Sequence, residues 1–437
     1  MVQAVPMDAP AINSPDTLGD DTHVAILPNG VRVLTIRMPQ LESACVSVFV
    51  RSGSAHESRA ANGIGHVIEH MVFKGTTQRD ARRINLDAER LGAEVNAHTD
   101  KDHSAFHMRG LARDATEFVR MLGEIVCCAS FPADEFERER QVLLHEFTED
   151  EDDPMSAAFK LFDKACFGMH PAAQPVIGTR RNIEGFTRDA LVAHVQHHYT
   201  GANVVVGAAG RVAPAAIERA AEAAFGALPR GAPNLVAPPS YAGGIRSSRL
   251  TGSSQTHVVL GFPIAPIAAD DPVPSVAAAL FGEGMSSPLM DSLRERLGLA
   301  YYAACSADVL DVCGQFVVEA STAPEQLDAL LAEVMRLLRA QAHAIDPLDL
   351  ERAHNQIAVR RLRNQERAYR RLEDAALDLV ALGRVRSPAE RLARLTAVTA
   401  PQLQEQFERM LAAGVSLAIA GKVGRGASER AREALSS

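Results

Sequence analysis

The stretch Gly65-His66-Val67-Ile68-Glu69-His70 (GHVIEH) governs how the rest of this 437-residue chain is read. His66 and His70 stand four apart and Glu69 follows His66 by three, so on a helix all three share one face. Two imidazoles at that spacing can reach one tetrahedral Zn2+, with the intervening carboxylate beside the water that such an ion activates. Any one of these residues alone is most simply a polar position on a helix surface. The spaced trio points instead to hydrolysis, with Glu69 able to take a proton from water and pass it to a leaving amine.

A catalytic zinc ordinarily keeps three protein ligands and one open position. Candidates for the third lie downstream in ERERQVLLHEFTED, Glu137 to Asp150. Glu139 and Glu146 are seven apart and Glu149 lies three further on, along one helix face beside Val142 and Leu143. One carboxylate can ligate while another supports it. Taken alone, the stretch also reads as a solvated acidic face running into Glu149 to Asp153, with His145 as a surface histidine.

Outward from these segments the chain reads as α+β. HVAIL, VRVLTI and ACVSVFV, the first two separated by Pro28-Asn29-Gly30, have the β-branched density and turn of an antiparallel meander. Helical periodicity follows at 65–73, 82–91, 115–128 and 132–149, with strand-like segments at 93–99 and 105–109. ERLG occurs at Glu89 to Gly92 and again at Glu295 to Gly298, and AAGRV (208–212) is echoed by IAGKV (419–423). The offsets, 206 and 211 residues, suggest an internal duplication. The expected organisation is a flexible leader (1–21), a first domain (22–227), a Pro/Gly-rich linker (228–246) and a homologous second domain (247–437).

Composition excludes several classes. Net charge is -9, with 45 Lys and Arg scattered among 54 Asp and Glu, which argues against a nucleic-acid or anionic-membrane partner. Six cysteines without CxxC spacing suggest neither a disulfide framework nor a thiolate zinc site, so a reducing cytoplasm is expected. No signal peptide or bilayer-spanning apolar run is read from the sequence. Neither a nucleophilic cysteine motif nor a GxxxxGK[ST] loop occurs.

From His23 to Val423 the chain resembles the pitrilysin-type inverzincin peptidases, closest to their processing-peptidase branch. HVIEHMVFKGT, GAEVNAHT, ERERQVLLHE, the following DDP, and HPAAQPVIGT carry the likeness. The resemblance implies two homologous domains, each a mostly antiparallel sheet with helices on one face, closing about the linker around a peptide. It implies one Zn2+ per chain held by His66, His70 and Glu146, with Glu69 as general base and Glu139 as supporting carboxylate. Arg294 and Tyr301, in LRERLGLAYY, would grip the substrate near its scissile carbonyl, with Tyr302 as the adjacent alternative. Asn96 and Ala97 would lie on an edge strand to which a peptide adds. It further implies peptide substrates and a homodimer, or a heterodimer with a related subunit.

Overall fold

The computed structural model describes residues 21–436, so the expected leader lies outside the described residues apart from Asp21. Strands β1 (Thr22–Ile26) and β2 (Arg32–Arg37) form the antiparallel hairpin expected around Pro28-Asn29-Gly30. Gly30 supplies the left-handed turn residue, at φ 93°. Asn29 Nδ2 pins the turn by donating to the carbonyls of Phe225 (2.9 Å) and Leu228 (3.0 Å).

The meander stops there. Strand β3 (Ser43–Val50) does not pair with β2, because β6 (Val204–Gly210) lies between them, parallel to β2 and antiparallel to β3. The physical reason is visible in β3, where every residue from Ala44 to Val50 is buried. A strand covered on both faces belongs in the middle of a sheet. With β4 (Glu94–Thr99) and β5 (Ser104–Leu111) the order is β1-β2-β6-β3-β5-β4.

The second half repeats this plan. Strands β7 (Gly244–Arg249), β8 (Thr256–Ile264), β9 (Tyr302–Val309), β10 (Gly314–Thr322) and β11 (Ser416–Gly421) run in the order β7-β11-β8-β10-β9. Here too the last strand inserts between two early ones, parallel to β7 as β6 is to β2 and antiparallel to β8 as β6 is to β3. The repeated sequence tags mark equivalent places. Gly92 and Gly298, closing each ERLG, sit at φ 63° and 59°, the left-handed conformation that ends a helix.

In the first half, helices α1 (Ile64–Met71), α2 (Ala81–Arg90), α3 (Ala115–Cys127) and α4 (Ala133–Asp152) gather over one face, packing on Val46, Val48, Val50 and Phe106. The opposite face is covered too, by a helix from the other half. Leu34, Ile36, Phe49 and Val205 meet Leu372, Ala376 and Leu379 of the Ala368–Ala381 helix. In return, α5 (Pro154–Phe167) sets Ala158, Phe162 and Cys166 against Val259, Val317 and Ala418 of the second sheet. Burying one such phenylalanine contributes about 1.5–3 kcal/mol.

The halves are therefore cross-braced. Residues 229–243 form no helix or strand, and β7 begins inside the stretch expected as linker. That stretch is fastened: Asn234 Nδ2 donates to Arg51 O (2.7 Å) and His198 O (3.1 Å), and Tyr241 Oη donates to Gly414 O (3.0 Å). The stretch expected as linker is thus anchored to both halves.

Candidate metal centre

Helix α1 starts without a conventional cap. Its N-cap, Gly63, is left-handed at φ 98°, and an added Cβ there would meet Gly178 Cα at 2.8 Å, so glycine is required twice over. The first-turn N–H groups are satisfied from a distance by Glu57, which accepts from Gly63 N at 2.7 Å and Gly65 N at 2.8 Å. Asn62 Nδ2 donates to the same carboxylate at 3.1 Å. Burial outweighs these bonds and holds the Glu57 pKa above the usual carboxylate range.

Helices α1 and α4 cross so that His66 Nε2 lies 3.5 Å from Glu146 Oε1 and His70 Nε2 lies 3.4 Å from Glu146 Oε2. One donor atom from each of the three side chains falls within 4.8 Å of the others. A tetrahedral ion with bonds of about 2.0–2.1 Å separates its ligands by about 3.3–3.4 Å, so the donor set fits zinc. Burial lowers the His66 pKa, but the hydrogen bond and charge of Glu146, together with the charges of Glu69 and Glu57, more than offset it and the net shift is upward. The same bond draws Glu146 below its ordinary value. A His66–Glu146 pair that favours the proton between its partners also yields it to a cation.

His70 Nδ1 lies 2.9 Å from Glu139 Oε1, and Lys74 Nζ is 2.6 Å from Glu139 Oε2. Glu139 is buried beneath the trio, whereas Glu149 and His145 are exposed on the outer face of α4. Glu69 lines a cleft of ≈ 440 Å3 together with His66 and Glu146, closed on one side by His98 and Thr99 of β4 and on the other by Pro175, Val176 and Ile177.

Strand β4 is the edge of its sheet. Asn96 is exposed, and its Oδ1 accepts from Ala97 N at 2.9 Å. Neither residue lines the cleft itself, where His98 and Thr99 do.

Arg294 and Tyr301 are brought to each other rather than to the trio. The Arg294 guanidinium stands 4.9 Å above the Tyr301 ring, and its other partners are Glu295 (3.5 Å) and Met285 (3.8 Å). Tyr301 is 80% exposed. Arg294 lies in a π-helical turn, Asp291–Arg296, a rare geometry often found at functional sites.

Two features went unread in the sequence. Glu57, as an isolated carboxylate in a loop, carries no motif. The other is a row of histidines: His107 Nδ1 meets Ser47 Oγ (2.8 Å), His107 Nε2 meets His98 Nδ1 (3.1 Å), and His98 Nε2 meets His103 Nε2 (3.3 Å). His103 Nδ1 ends the row on Asp102 Oδ1 at 2.7 Å. Burial drives His107 down to about 3 and lowers His98, while Asp102 overcomes burial to raise His103. Three histidines within ten residues across a hairpin were the available signal.

Comparison with known proteins agrees with this geometry. The sequence model described as "Insulinase (Peptidase family M16)" matches residues 32–180, and that described as "Peptidase M16 inactive domain" matches residues 185–357. An uncharacterized zinc protease of Mycobacterium tuberculosis is 32% identical over 412 residues, 91% of this chain and 92% of that protein. One from Rickettsia bellii is 29% identical over 404 residues, covering 92% and 98%. A solved structure described as a protease from Helicobacter pylori shares the fold, with a TM-score of 0.84 at 20% identity, over 92% of this chain and 99% of that one. No helix among the described residues is long and apolar enough to cross a membrane. The chain belongs to peptidase family M16, the insulinase family.

Proposed function

We propose that the protein is a zinc-dependent endopeptidase that cleaves peptides or short unfolded segments, with one Zn2+ per chain. The observation that carries this reading is the pair of imidazole Nε2 atoms facing the two oxygens of one carboxylate at 3.5 and 3.4 Å. His66, His70 and Glu146 would hold the ion, which when bound acidifies water and polarises a carbonyl.

The chain's own groups supply the rest. Glu139 keeps the His70 proton on Nδ1 and so leaves Nε2 free to ligate. The Glu69 carboxylate accepts a proton from the attacking water and delivers it to the amine nitrogen of the leaving strand. A peptide adds to the β4 edge, displacing Asn96 Oδ1 from the Ala97 amide. Arg294 and Tyr301 offer a guanidinium and a phenol for the developing oxyanion. In keeping with the family resemblance, a homodimer or a heterodimer with a related subunit is the assembly in which they would act. The free cysteines support a reducing, cytoplasmic setting.

Zinc content and cleavage of a quenched-fluorescent peptide mixture, measured on the purified chain, test the proposal. Glu69→Gln retains zinc and loses about 100-fold or more of the activity. His70→Ala and Glu146→Gln lose both. Full activity in Glu69→Gln sinks the mechanism, and zinc without cleavage in the wild type points to a zinc subunit that needs a partner chain or to a peptide-binding role.

A further inference from the structure

A second cavity, of ≈ 460 Å3, adjoins the metal cleft; Lys160 and Pro175 line both. Its walls come from α4, α5, the loop through Met169 and, from the other half, β7. Its charge runs against that of the molecule, which carries a net -9. Its charged lining is four cations, Arg59, Lys160, Lys164 and Arg246, and one carboxylate, Glu151. That carboxylate is already taken, since Glu151 Oε1 lies 2.5 Å from Lys160 Nζ.

Arg59, Lys164 and Arg246 are left, from three separate segments, exposed and without an ion pair among the described residues. Elsewhere in this chain arginines are commonly matched: Arg384, Arg386 and Arg394, for example, all reach Asp270. Three unmatched cations lining one concavity give it a positive potential that a guest of opposite sign would meet favourably. The apolar surface beside them, Phe147 and the 74% exposed Met169, suits the stem of a side chain more than an inorganic ion.

We infer that this cavity is a subsite for a carboxylate of the bound peptide, an acidic side chain or the C-terminus, lying beyond the scissile bond along the same cleft. The inference rests on the peptidase reading for its substrate, but its readout is binding. The site recognises charge at a distance from Glu69, so it sets which peptide docks and leaves the rate of the bound complex unchanged.

The test uses the full-length Glu69→Gln chain loaded with zinc and a neutral-dye peptide in which Glu replaces Gln at each position in turn, each made as free acid and as amide. At one position Glu binds about tenfold tighter than Gln, equal to about 1.4 kcal/mol. The advantage disappears between about 50 and 500 mM salt. If the free acid carries the advantage at every position and the amide lacks it, the guest is the terminal carboxylate. The double variant Lys164→Ala/Arg246→Ala abolishes the preference and leaves the affinity of the Gln peptide amide, which carries neither carboxylate, unchanged. Lys164→Glu/Arg246→Glu reverses it in favour of a Lys peptide.

The inference is overturned if no peptide binds, if no carboxylate is preferred by more than about twofold, or if the preference survives the double variant. Wild-type turnover of the same peptides separates the two readings. Cleavage without an acidic preference removes the subsite and keeps the peptidase, whereas an acidic preference in binding with no cleavage does the reverse.

Discussion

Glu139 Oε1 and His70 Nδ1 stand 2.9 Å apart, and this bond decides which nitrogen of His70 faces Glu146. Because Lys74 holds the other Glu139 oxygen at 2.6 Å, the carboxylate cannot swing away from the imidazole. Glu139→Gln is expected to lower zinc affinity about 10- to 100-fold while the fold persists. Competition with a chromogenic chelator measures it, and unchanged affinity would deny Glu139 its supporting role.

Glu57 is the cap of α1 by proxy, so its loss strands the N–H groups of Gly63 and Gly65 in a buried place. Glu57→Ala is expected to cost about 1–3 kcal/mol of stability for these unmet donors. Zinc affinity should fall with it, because His66 rides on the same turn. Glu57→Gln, which still accepts through one oxygen, should recover part of both losses in denaturant titrations and chelator competition. Equal behaviour of the two variants would show that the carboxyl oxygens do not cap the helix.

The Asp102–His103 pair makes stability depend on pH in a defined window. The His103 pKa is raised above 6.5, so its contribution is complete below that value and is lost as pH rises through the folded-state value. The Asp102 pKa is lowered below 3.8, so its contribution is complete above that value and is lost as pH falls through the folded-state value. Both operate fully between those limits. Asp102→Asn is expected to cost about 3–5 kcal/mol near pH 5.5 and distinctly less near pH 9. Urea unfolding at the two pH values reads this, and an equal loss at both would contradict it.

Leu372 occupies the space where a side chain on Gly207 would stand, its Cδ1 2.7 Å from the position of an added Cβ. Leu372→Ala should cost about 2–5 kcal/mol, and Gly207→Ala about 1–3 kcal/mol from crowding. Since that helix belongs to one half and Gly207 to the other, both changes are expected to shift a single calorimetric transition of the whole chain. Two separating transitions would mean that the cross-bracing is weak.

The parts legible in the sequence were those set by local spacing. The i, i+3, i+4 placement of His66, Glu69 and His70 put them on one helix face, and the seven-residue interval from Glu139 to Glu146 did the same on α4. Residue spacing alone left open which carboxylate faces the imidazoles; the family resemblance pointed to Glu146, and that is the one found opposite both Nε2 atoms. Illegible were the relations that depend on long-range pairing. The insertion of β6 between β2 and β3 joins segments about 170 residues apart, and nothing in ACVSVFV names its neighbours. The apolar faces of α5 and of the Ala368–Ala381 helix announce burial but not the sheet they bury against. Glu57 escaped notice because a cap eight residues upstream in a loop leaves no periodic trace.

The traded helices bear on the ancestry of the chain. If each half descends from one ancestral unit, that unit in isolation had no borrowed helix to lay over Leu34, Phe49 and Val205, and its bare sheet would have needed a second copy to cover it. Fusion of two such copies would turn an encounter between molecules into a covalent certainty. Arg32 now donates to the carbonyl of Leu379 across 347 residues of a single polypeptide. On that ancestry each half now carries the cover for its twin's sheet, so a change on either side of the seam is felt by both.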